Sequence, residues 1–351
     1  MEFGCHVNRD RAAHIATHSA AHSATHSAPH SAPHKVSIAD HIRAARAAAA
    51  DECGVDLRAA QIFVGGPYKR EITLTEAEAN DLLVLANGVN ETNGVNETNE
   101  TNVRIALYAH SAYVAPPWGG DPDAARYIRD EIAVCARAGM RGLVVHLPKA
   151  PIATVVKYAA RLINTDVGGR VRVYFEIPAV RPGEAHYETP EKLAALFRAL
   201  RPLDPAGELF GLCVDTAHLW TSGVDLSSYA AASAWLARFE SMLARDFASD
   251  FSHRVMFHLN DSLRPLGVGP DAHAGLTIGH IWADYADNPA ASGIAAFLEF
   301  AGAHGCTAIL ERGPPEALPA DFRLVARLDP SVQPRERPAL SAALRASLQQ
   351  K

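Results

Sequence analysis

The chain has 351 residues, of which 48% are hydrophobic and 21% charged, and this length accommodates a barrel domain of about 250 residues or more. It shows no apolar run long enough to span a bilayer, no basic and apolar secretory signal, and no paired spacing among its five cysteines. These features argue against a membrane protein, a disulfide framework and a cysteine-type zinc site. We therefore expect an intracellular protein, in cytoplasm or nucleus and of cellular or viral origin, that is not secreted.

The net charge restricts the possible functions less strongly than the features above. The net charge is −6, from 33 Lys and Arg against 39 Asp and Glu. Taken alone, this charge disfavours nucleic acid as a partner, because affinity for phosphates depends on cationic surface. Divalent cations held by the acidic residues would reverse the local charge, so the balance does not exclude nucleic acid.

Two low-complexity segments interrupt the chain. Residues 14–34 repeat a four-residue unit whose histidines are His14, His18, His22, His26, His30 and His34. A helix would align these rings on one face, but the intervening Ser, Thr, Ala and Pro offer nothing to bury, which favours an unordered tether. The second segment, residues 87–102, is rich in Asn-Gly and Asn-Glu-Thr and is typical of a surface loop.

The domain prediction follows from treating both segments as loop expansions, which cost little entropy. It consists of one domain over residues 1–330, with disordered insertions at 9–35 and 87–102, and a C-terminal tail over residues 331–351.

The remaining sequence alternates between strand-like and helix-like stretches. Predicted strands cover residues 2–7, 60–64, 103–110, 142–146, 171–176, 209–215, 254–260 and 307–311. Predicted helices include residues 37–53, 75–86, 122–138, 189–200 and 230–244, with a Thr75–Glu78 capping box and a Thr189-Pro190 start. Alternation with eight strands predicts an α/β fold, a closed (β/α)8 TIM barrel. An open doubly wound sheet is the alternative, but no glycine-rich phosphate motif follows the first strand.

Six consecutive predicted strands carry a potential metal ligand at their C-terminal ends, and these ends share the face where barrels build active sites. The six residues are His110, His146, Glu176, Asp215, His258 and Glu311. Three more candidates lie in the following loops: His218, one helical turn after Asp215 if a helix starts there, and the pair Asp271 and His273.

A single histidine or aspartate at a strand end is more often a hydrogen-bonded structural residue than a ligand. Packing does not explain nine such residues at one face, because these groups are costly to bury unpaired. Histidine and carboxylate ligands suit zinc, with manganese or iron as substitutes. Nine ligands exceed what one ion uses, so we expect two or three ions, an arrangement that suits phosphodiester hydrolysis.

Several segments together resemble the endonuclease IV family of apurinic/apyrimidinic (AP) endonucleases, in order and spacing over nearly the whole chain outside the insertions and tail. The most specific is Gly-Leu-Cys-Val-Asp-Thr-Ala-His at residues 211–218, continuing through Ser222-Gly223-Val224-Asp225. The others are Phe257–Ser262, Asp271–His273 with Ile278-Gly279, Ala308–Glu311, His110–Tyr113, Val145-His146, Phe175-Glu176 and Gly4–Val7.

The resemblance implies a centre of three zinc ions and assigns ligands to each. One ion would have His110, His146 and Glu176; the second would share Glu176 and add Asp215, His258 and Glu311; the third would have His218, Asp271 and His273. It further implies a monomeric base-excision-repair enzyme that hydrolyses double-stranded DNA 5′ to abasic sites, with Glu176 and Glu311 as catalytic residues. Whether 3′ ends are also trimmed is left open.

The resemblance also implies DNA contacts by Tyr113, Lys69 and Arg70. Packing at the barrel rim is the other interpretation of Tyr113, and a solvated charge pair that of Lys69 and Arg70. The chain departs from the family pattern with Leu147-Pro148-Lys149 after the fourth strand, Ile177-Pro178-Ala179-Val180 after the fifth, and Ala272 where arginine is common. These departures concern DNA binding rather than metal binding, since all nine ligand types are retained.

Two other functions remain open at the level of sequence. A metal-dependent sugar isomerase or epimerase of the xylose-isomerase type would share the barrel but use one or two metals and fewer histidines. A non-enzymatic DNA-binding or scaffold protein would keep the cluster for structure alone, although ligands arranged for open coordination have little structural purpose.

Overall fold

The computed structural model describes residues 1–7, 36–88, 104–163, 171–184, 187–248, 250–311 and 318–333. Within them, eight parallel strands close into one barrel in which each strand pairs with its neighbours along the chain and β1 pairs with both β2 and β8. Strands β1 to β8 are Glu2–His6, Ala59–Phe63, Ala106–His110, Gly142–His146, Arg172–Glu176, Phe210–Asp215, Val255–His258 and Thr307–Leu310. The predicted TIM barrel is thus confirmed.

Helices α1 to α9 are Ile38–Cys53, Glu76–Asn87, Pro122–Arg137, Ile152–Ala159, Pro190–Leu200, Thr216–Thr221, Tyr229–Leu243, Gly293–His304 and Leu318–Leu328. The capping box predicted for Thr75 and Glu78 is present at the start of α2. Thr189 caps α5, with Pro190 as its first residue. No described helix is both long and apolar enough to cross a membrane.

Inside the barrel, side chains that point inward alternate with side chains that point toward the helices. A lower level is largely apolar and consists of Ala59, Ala106, Tyr108, Val144, Tyr174, Cys213, Met256 and Ile309. The next inward position, two residues further along each strand, lies at the barrel mouth and is polar on every strand. Apolar packing therefore supports a polar floor at the C-terminal ends of the strands.

Two short antiparallel pairs extend from this mouth. Gly65–Gly66 pairs with Lys69–Ile72 just after β2. Asp261–Ser262 pairs with His273–Ala274 after β7, and this pairing returns the long β7–α8 loop to the mouth.

The boundaries differ from the predicted ones in places. Strand β3 begins at Ala106 rather than at residue 103, and β7 covers only Val255–His258 rather than residues 254–260. Three helices, α4, α8 and α9, were not among the predicted helices. Helix α6 was considered only on the condition that a helix starts after Asp215.

The low-complexity segments lie almost wholly outside the described residues, as does the tail from residue 334. Asn87 is the last residue of α2 and Gly88, with φ 71°, is its C-cap, so these two residues belong to the helix end and not to the predicted insertion. Val332 is buried, and its carbonyl accepts from the Asp56 backbone N–H, so the packed region reaches two residues beyond the predicted domain end at 330.

Candidate metal centre

The polar floor contains one side chain from the C-terminal end of each barrel strand. These are His6, Gln61, His110, His146, Glu176, Asp215, His258 and Glu311. All six strand-end ligands predicted from the sequence are therefore at one face. Most are almost completely inaccessible to solvent: Glu176, Asp215 and His258 are each 0% exposed.

Helix α6 brings His218 to the same place. Asp215 caps this helix by accepting a hydrogen bond from the His218 backbone N–H at 3.0 Å, which fixes the ring one turn away. Asn260 donates through Nδ2 to Asp215 Oδ2 at 2.6 Å and holds the other carboxylate oxygen. The helix start anticipated after Asp215 is thus observed.

The loop after β7 carries Asp271 and His273. Its return depends on Asp261, which is buried and accepts backbone hydrogen bonds from Gly279 and Ile281. Asp271 Oδ2 lies 3.0 Å from His273 Nε2 and 3.4 Å from His218 Nε2. All nine predicted residues consequently meet at the barrel mouth.

The donor atoms form overlapping groups whose members lie within 4.8 Å of one another. One group is His110, His146 and Glu176; another is Glu176, Asp215, His258 and Glu311; a third is Asp215, His218 and His273. The first two have the same members as the sets that the family resemblance implies. The third differs, since Asp215 joins it and Asp271 approaches both rings from the cavity side.

Hydrogen bonds from the protein fix the orientation of several imidazoles. The Nδ1 atoms of His110, His218 and His273 lie 2.8, 2.7 and 2.7 Å from the carbonyl oxygens of Ser111, Ile177 and Glu311. A carbonyl only accepts, so each Nδ1 carries the proton and each Nε2 faces the carboxylates. Metal-binding histidines are held in this way, with the second nitrogen donating to a fixed acceptor.

The environment of His273 Nε2 shows whether this site suits a metal ion. His273 Nε2 is a buried atom without a hydrogen bond among the described residues, although Asp271 Oδ2 and Asp215 Oδ2 lie at 3.0 and 3.6 Å. A buried ring nitrogen without a hydrogen bond, beside two carboxylates, is a position that a bound cation would satisfy. The histidine and carboxylate donors around it suit zinc.

The pKa values of the centre reflect mutual stabilisation of opposite charges. Burial alone would raise the pKa of Glu176, but the His146 and His258 rings hold it well below its usual range. Burial works in the opposite direction on His273, and the Asp215 and Asp271 carboxylates overcome it and raise the pKa of that ring to about 9. The His273 ring therefore favours its protonated form in the metal-free protein, and a bound metal ion would displace the proton on Nε2.

A cavity of about 550 Å³ opens above the centre and is lined partly by His146, Asp271, Ala272 and Glu311. Ala272 contributes no charge to this wall.

Two tyrosines stand at the rim of the cavity. Tyr113 is 42% exposed, and its ring centroid lies 5.2 Å from that of His110 and 5.3 Å from that of His146. Tyr68, at the turn of the Gly65–Ile72 hairpin, is 74% exposed and contacts Tyr113 at 5.8 Å between ring centroids.

The two basic residues predicted to contact DNA occupy the same hairpin. The Lys69 side chain is exposed. Arg70 is engaged within the protein, because it donates through Nε to the Val114 carbonyl at 2.9 Å and pairs with Asp121 Oδ2 at 2.6 Å. Arg70 thus connects the hairpin to the loop that carries Tyr113.

Sequence reasoning missed three polar residues of the centre: His6, Gln61 and Asn260. His6 and Gln61 complete the ring of inward-facing side chains, and Asn260 connects Asp215 to the backbone N–H of Glu311. A polar residue at the end of an otherwise apolar strand was the available signal for the first two, in Phe-Gly-Cys-His and Ala-Ala-Gln.

Fold and site together define a class: a (β/α)8 barrel with overlapping groups of histidine and carboxylate donors at its C-terminal mouth. Comparison with known proteins narrows this class. No model of a known family matches the sequence. A protein of African swine fever virus (isolate Tick/Malawi/Lil 20-1/1983) named "Probable AP endonuclease" is 31% identical over 277 residues, which cover 79% of this chain and 84% of the viral one.

Solved structures agree with this relationship. The crystal structure described as "AsfvAP:AG" is 28% identical with a TM-score of 0.76 and covers 93% of this chain and 98% of its own. Endonuclease IV from Thermus thermophilus shares the fold, with 20% identity, a TM-score of 0.61 and the same coverages of 93% and 98%. The chain belongs to the endonuclease IV family of AP endonucleases, which are DNA-cleaving hydrolases.

Proposed function

We propose that this protein is a zinc-dependent AP endonuclease that hydrolyses the phosphodiester 5′ to abasic sites in double-stranded DNA. The observation that carries the proposal is the meeting of nine histidine and carboxylate side chains at the barrel mouth, eight of them in overlapping groups, in a chain that belongs to the AP endonuclease family. Base excision repair inside the cell, by a monomer, is part of the same proposal.

The nine residues fit three zinc ions. Glu176 belongs to two of the donor groups and Asp215 to two, as bridging carboxylates do when ions lie close together. Cys213 lies beside Glu176 and His258, and burial raises the pKa of its thiol, so a metal ion bound there would have to displace the proton of a buried thiol. Manganese and iron are substitutes that the same donors accept. When bound, the ions supply an activated water and stabilise the charge that develops on the phosphate.

The protein itself contributes fixed geometry. Buried carboxylates and oriented rings lose little freedom when metal ions bind, which maintains the arrangement at the moment of reaction. Tyr68 and Tyr113 present aromatic faces at the rim, where a base next to the lesion can stack. Glu176 and Glu311, the two glutamates in the group that contains four donors, are the carboxylates we assign to catalysis.

The sugar isomerase alternative is less well supported. It gives no role to Asp271, whose Oδ2 lies 3.4 Å from His218 Nε2 and 3.0 Å from His273 Nε2, next to the third group of donors. A scaffold function is disfavoured by the open cavity directly above the centre.

Incision of a duplex that contains one synthetic abasic analogue tests the proposal. We expect cleavage on the 5′ side of the lesion, loss of cleavage after zinc chelation, and recovery when zinc is restored. The same duplex without the lesion is the control, and a duplex with a blocked 3′ end shows whether 3′ trimming occurs. Full zinc occupancy without any incision would reject the endonuclease assignment.

The metal-free protein is expected to be most stable near pH 6. Because the folded-state pKa of His273 is about 9 and the reference value is 6.5, its stabilising effect is complete below 6.5 and disappears as pH rises through 9. The His218 ring, whose pKa the Asp215 and Asp271 carboxylates also raise, acts in the same direction. Asp271 and Glu311, whose pKa values are lowered, stabilise above ~4 and lose that effect in acid.

Urea unfolding with chelator present, measured between about pH 5 and 9, checks this expectation. The zinc-loaded protein should show the opposite trend from neutral pH upward, because zinc requires unprotonated rings. Parallel curves with and without zinc would show that the rings do not exchange protons for metal.

A further inference from the structure

Gln61 lies at the centre of the barrel mouth without being a metal-ligand type. It belongs to β2, is 0% exposed, and contacts side chains from three other strands. Its Nε2 lies 3.0 Å from Glu311 Oε1 and 3.1 Å from His6 Nδ1, and its Oε1 lies 2.9 Å from His258 Nε2.

The directions of these hydrogen bonds follow from the chemistry of the groups. A carboxylate only accepts, so the Gln61 amide nitrogen donates to Glu311 and, with its second hydrogen, to His6. The amide oxygen therefore faces His258 and accepts from its Nε2. The Nε2 atom of His258 must carry a proton, which leaves Nδ1 as the ring atom for other contacts.

His258 Nδ1 faces the carboxylates directly. It lies 2.8 Å from Glu311 Oε2, 3.0 Å from Glu176 Oε1 and 3.8 Å from Asp215 Oδ2. This ring is thus reversed relative to His110, His218 and His273, which direct Nε2 inward and give Nδ1 to a backbone carbonyl. For His258 the acceptor behind the ring is the side chain of Gln61.

We propose that Gln61 is a positioning residue: it holds His258 with Nδ1 toward the carboxylates and at the same time fixes Glu311 Oε1 through the other end of the same amide. The inference rests on the proposed zinc centre and assigns to one side chain the alignment of two of its ligands. A side chain that fulfils both roles sets the distance between His258 and Glu311, which belong to the same group of four donors.

An amide that merely satisfies buried polar groups would have a different consequence. Its loss would lower stability without altering which nitrogen of His258 faces the site. The proposal requires instead that loss of the Gln61 amide changes both the protonation pattern of the His258 ring and the zinc affinity. Residues that hydrogen-bond to the second nitrogen of a metal-binding histidine affect metal affinity or activity about 10- to 100-fold.

The test uses the full chain with Gln61→Met, which keeps the side-chain length but removes both hydrogen-bonding ends. Gln61→Glu keeps the acceptor for His258 and removes the donor to Glu311. The matched control is Tyr108→Phe, which removes a buried hydrogen bond to Thr307 at 2.9 Å in the lower level of the barrel. Nitrogen-15 NMR of the histidine rings reports the Nε2 proton of His258, and competition with a zinc-binding dye reports affinity.

We expect a slowly exchanging His258 Nε2 proton in the wild type and in Gln61→Glu, and its loss in Gln61→Met. Zinc affinity should fall about 10- to 100-fold in Gln61→Met and remain within about twofold of wild type in Tyr108→Phe. A Gln61→Met protein that retains the slow proton, or that binds zinc as the wild type does, would overturn the proposal. Equal losses of affinity in Tyr108→Phe would overturn it as well, because a general packing effect would then suffice.

The NMR measurement is made with and without zinc, which separates this inference from the function proposed above. A wild type that binds no zinc and does not cut abasic DNA would reject that function. The state of the His258 Nε2 proton in Gln61→Met would still show whether Gln61 controls the ring.

Discussion

Replacing Glu311 with Gln is expected to reduce abasic-site incision by about three orders of magnitude, which corresponds to about 4 kcal/mol of transition-state stabilisation. Glu311 Oε2 lies 2.8 Å from His258 Nδ1, and the side chain belongs to the group of four donors. An amide has the same size but no charge, so it binds a cation more weakly than the carboxylate does. Single-turnover incision of an abasic duplex at saturating enzyme measures the effect.

The fold of this variant should persist, because the Glu311 backbone keeps its contacts: its N–H donates to Asn260 Oδ1 at 3.0 Å and its carbonyl accepts from His273 Nδ1 at 2.7 Å. Glu131→Gln is the matched control. Glu131 is also a buried glutamate, and burial raises its pKa to about 7, so an amide resembles its protonated form. We expect near wild-type incision from that control, and incision by Glu311→Gln within tenfold of wild type would mean that the catalytic assignment is wrong.

The sequence was sufficient to predict the barrel and the positions of the candidate ligands on its strands because both depend on short-range patterns. A β-strand alternates its side chains with period two, so a histidine or carboxylate at the end of an apolar run is directed either into the barrel or away from it. In β5, Glu176 shares the inward face with Tyr174 of the lower level, whereas Val173 and Phe175 on the opposite face pack in the main hydrophobic core.

The sequence was insufficient where a contact depends on residues far apart along the chain. Gln61 lies 197 positions from His258 and 250 from Glu311, and its role is visible only once the barrel closes and brings the C-terminal ends of β2, β7 and β8 to one mouth. Asp271 could be predicted as a ligand, but its separation from both His218 and His273 depends on how the β7–α8 loop returns. Arg70 pairs with Asp121, 51 positions further along the chain, which the sequence does not indicate, and its contact with DNA stays a prediction.

Replacing Asp261 with Ala is expected to lower the free energy of unfolding by about 3 kcal/mol and to remove about one zinc ion per chain. The Asp261 carboxylate is 0% exposed and accepts from the backbone N–H groups of Gly279 at 3.2 Å and Ile281 at 2.8 Å. Each buried N–H left without an acceptor costs about 1–3 kcal/mol. These bonds close the loop that carries Asp271 and His273, so the third group of donors should disperse when they are lost.

Urea unfolding with chelator present and zinc counting on the purified protein measure the two effects separately. Asp250→Ala is the control: Asp250 is exposed and also accepts a backbone hydrogen bond, from Ser252 at 3.1 Å, yet its loss should change stability by about 0.5 kcal/mol or less. The loop is held both by the Asp261 carboxylate and by the pairing of His273–Ala274 with Asp261–Ser262. If the Asp261→Ala protein is less stable but retains all its zinc, the strand pairing alone is enough to position His273. If zinc is lost without a loss of stability, Asp261 shapes the metal centre but does not stabilise the loop.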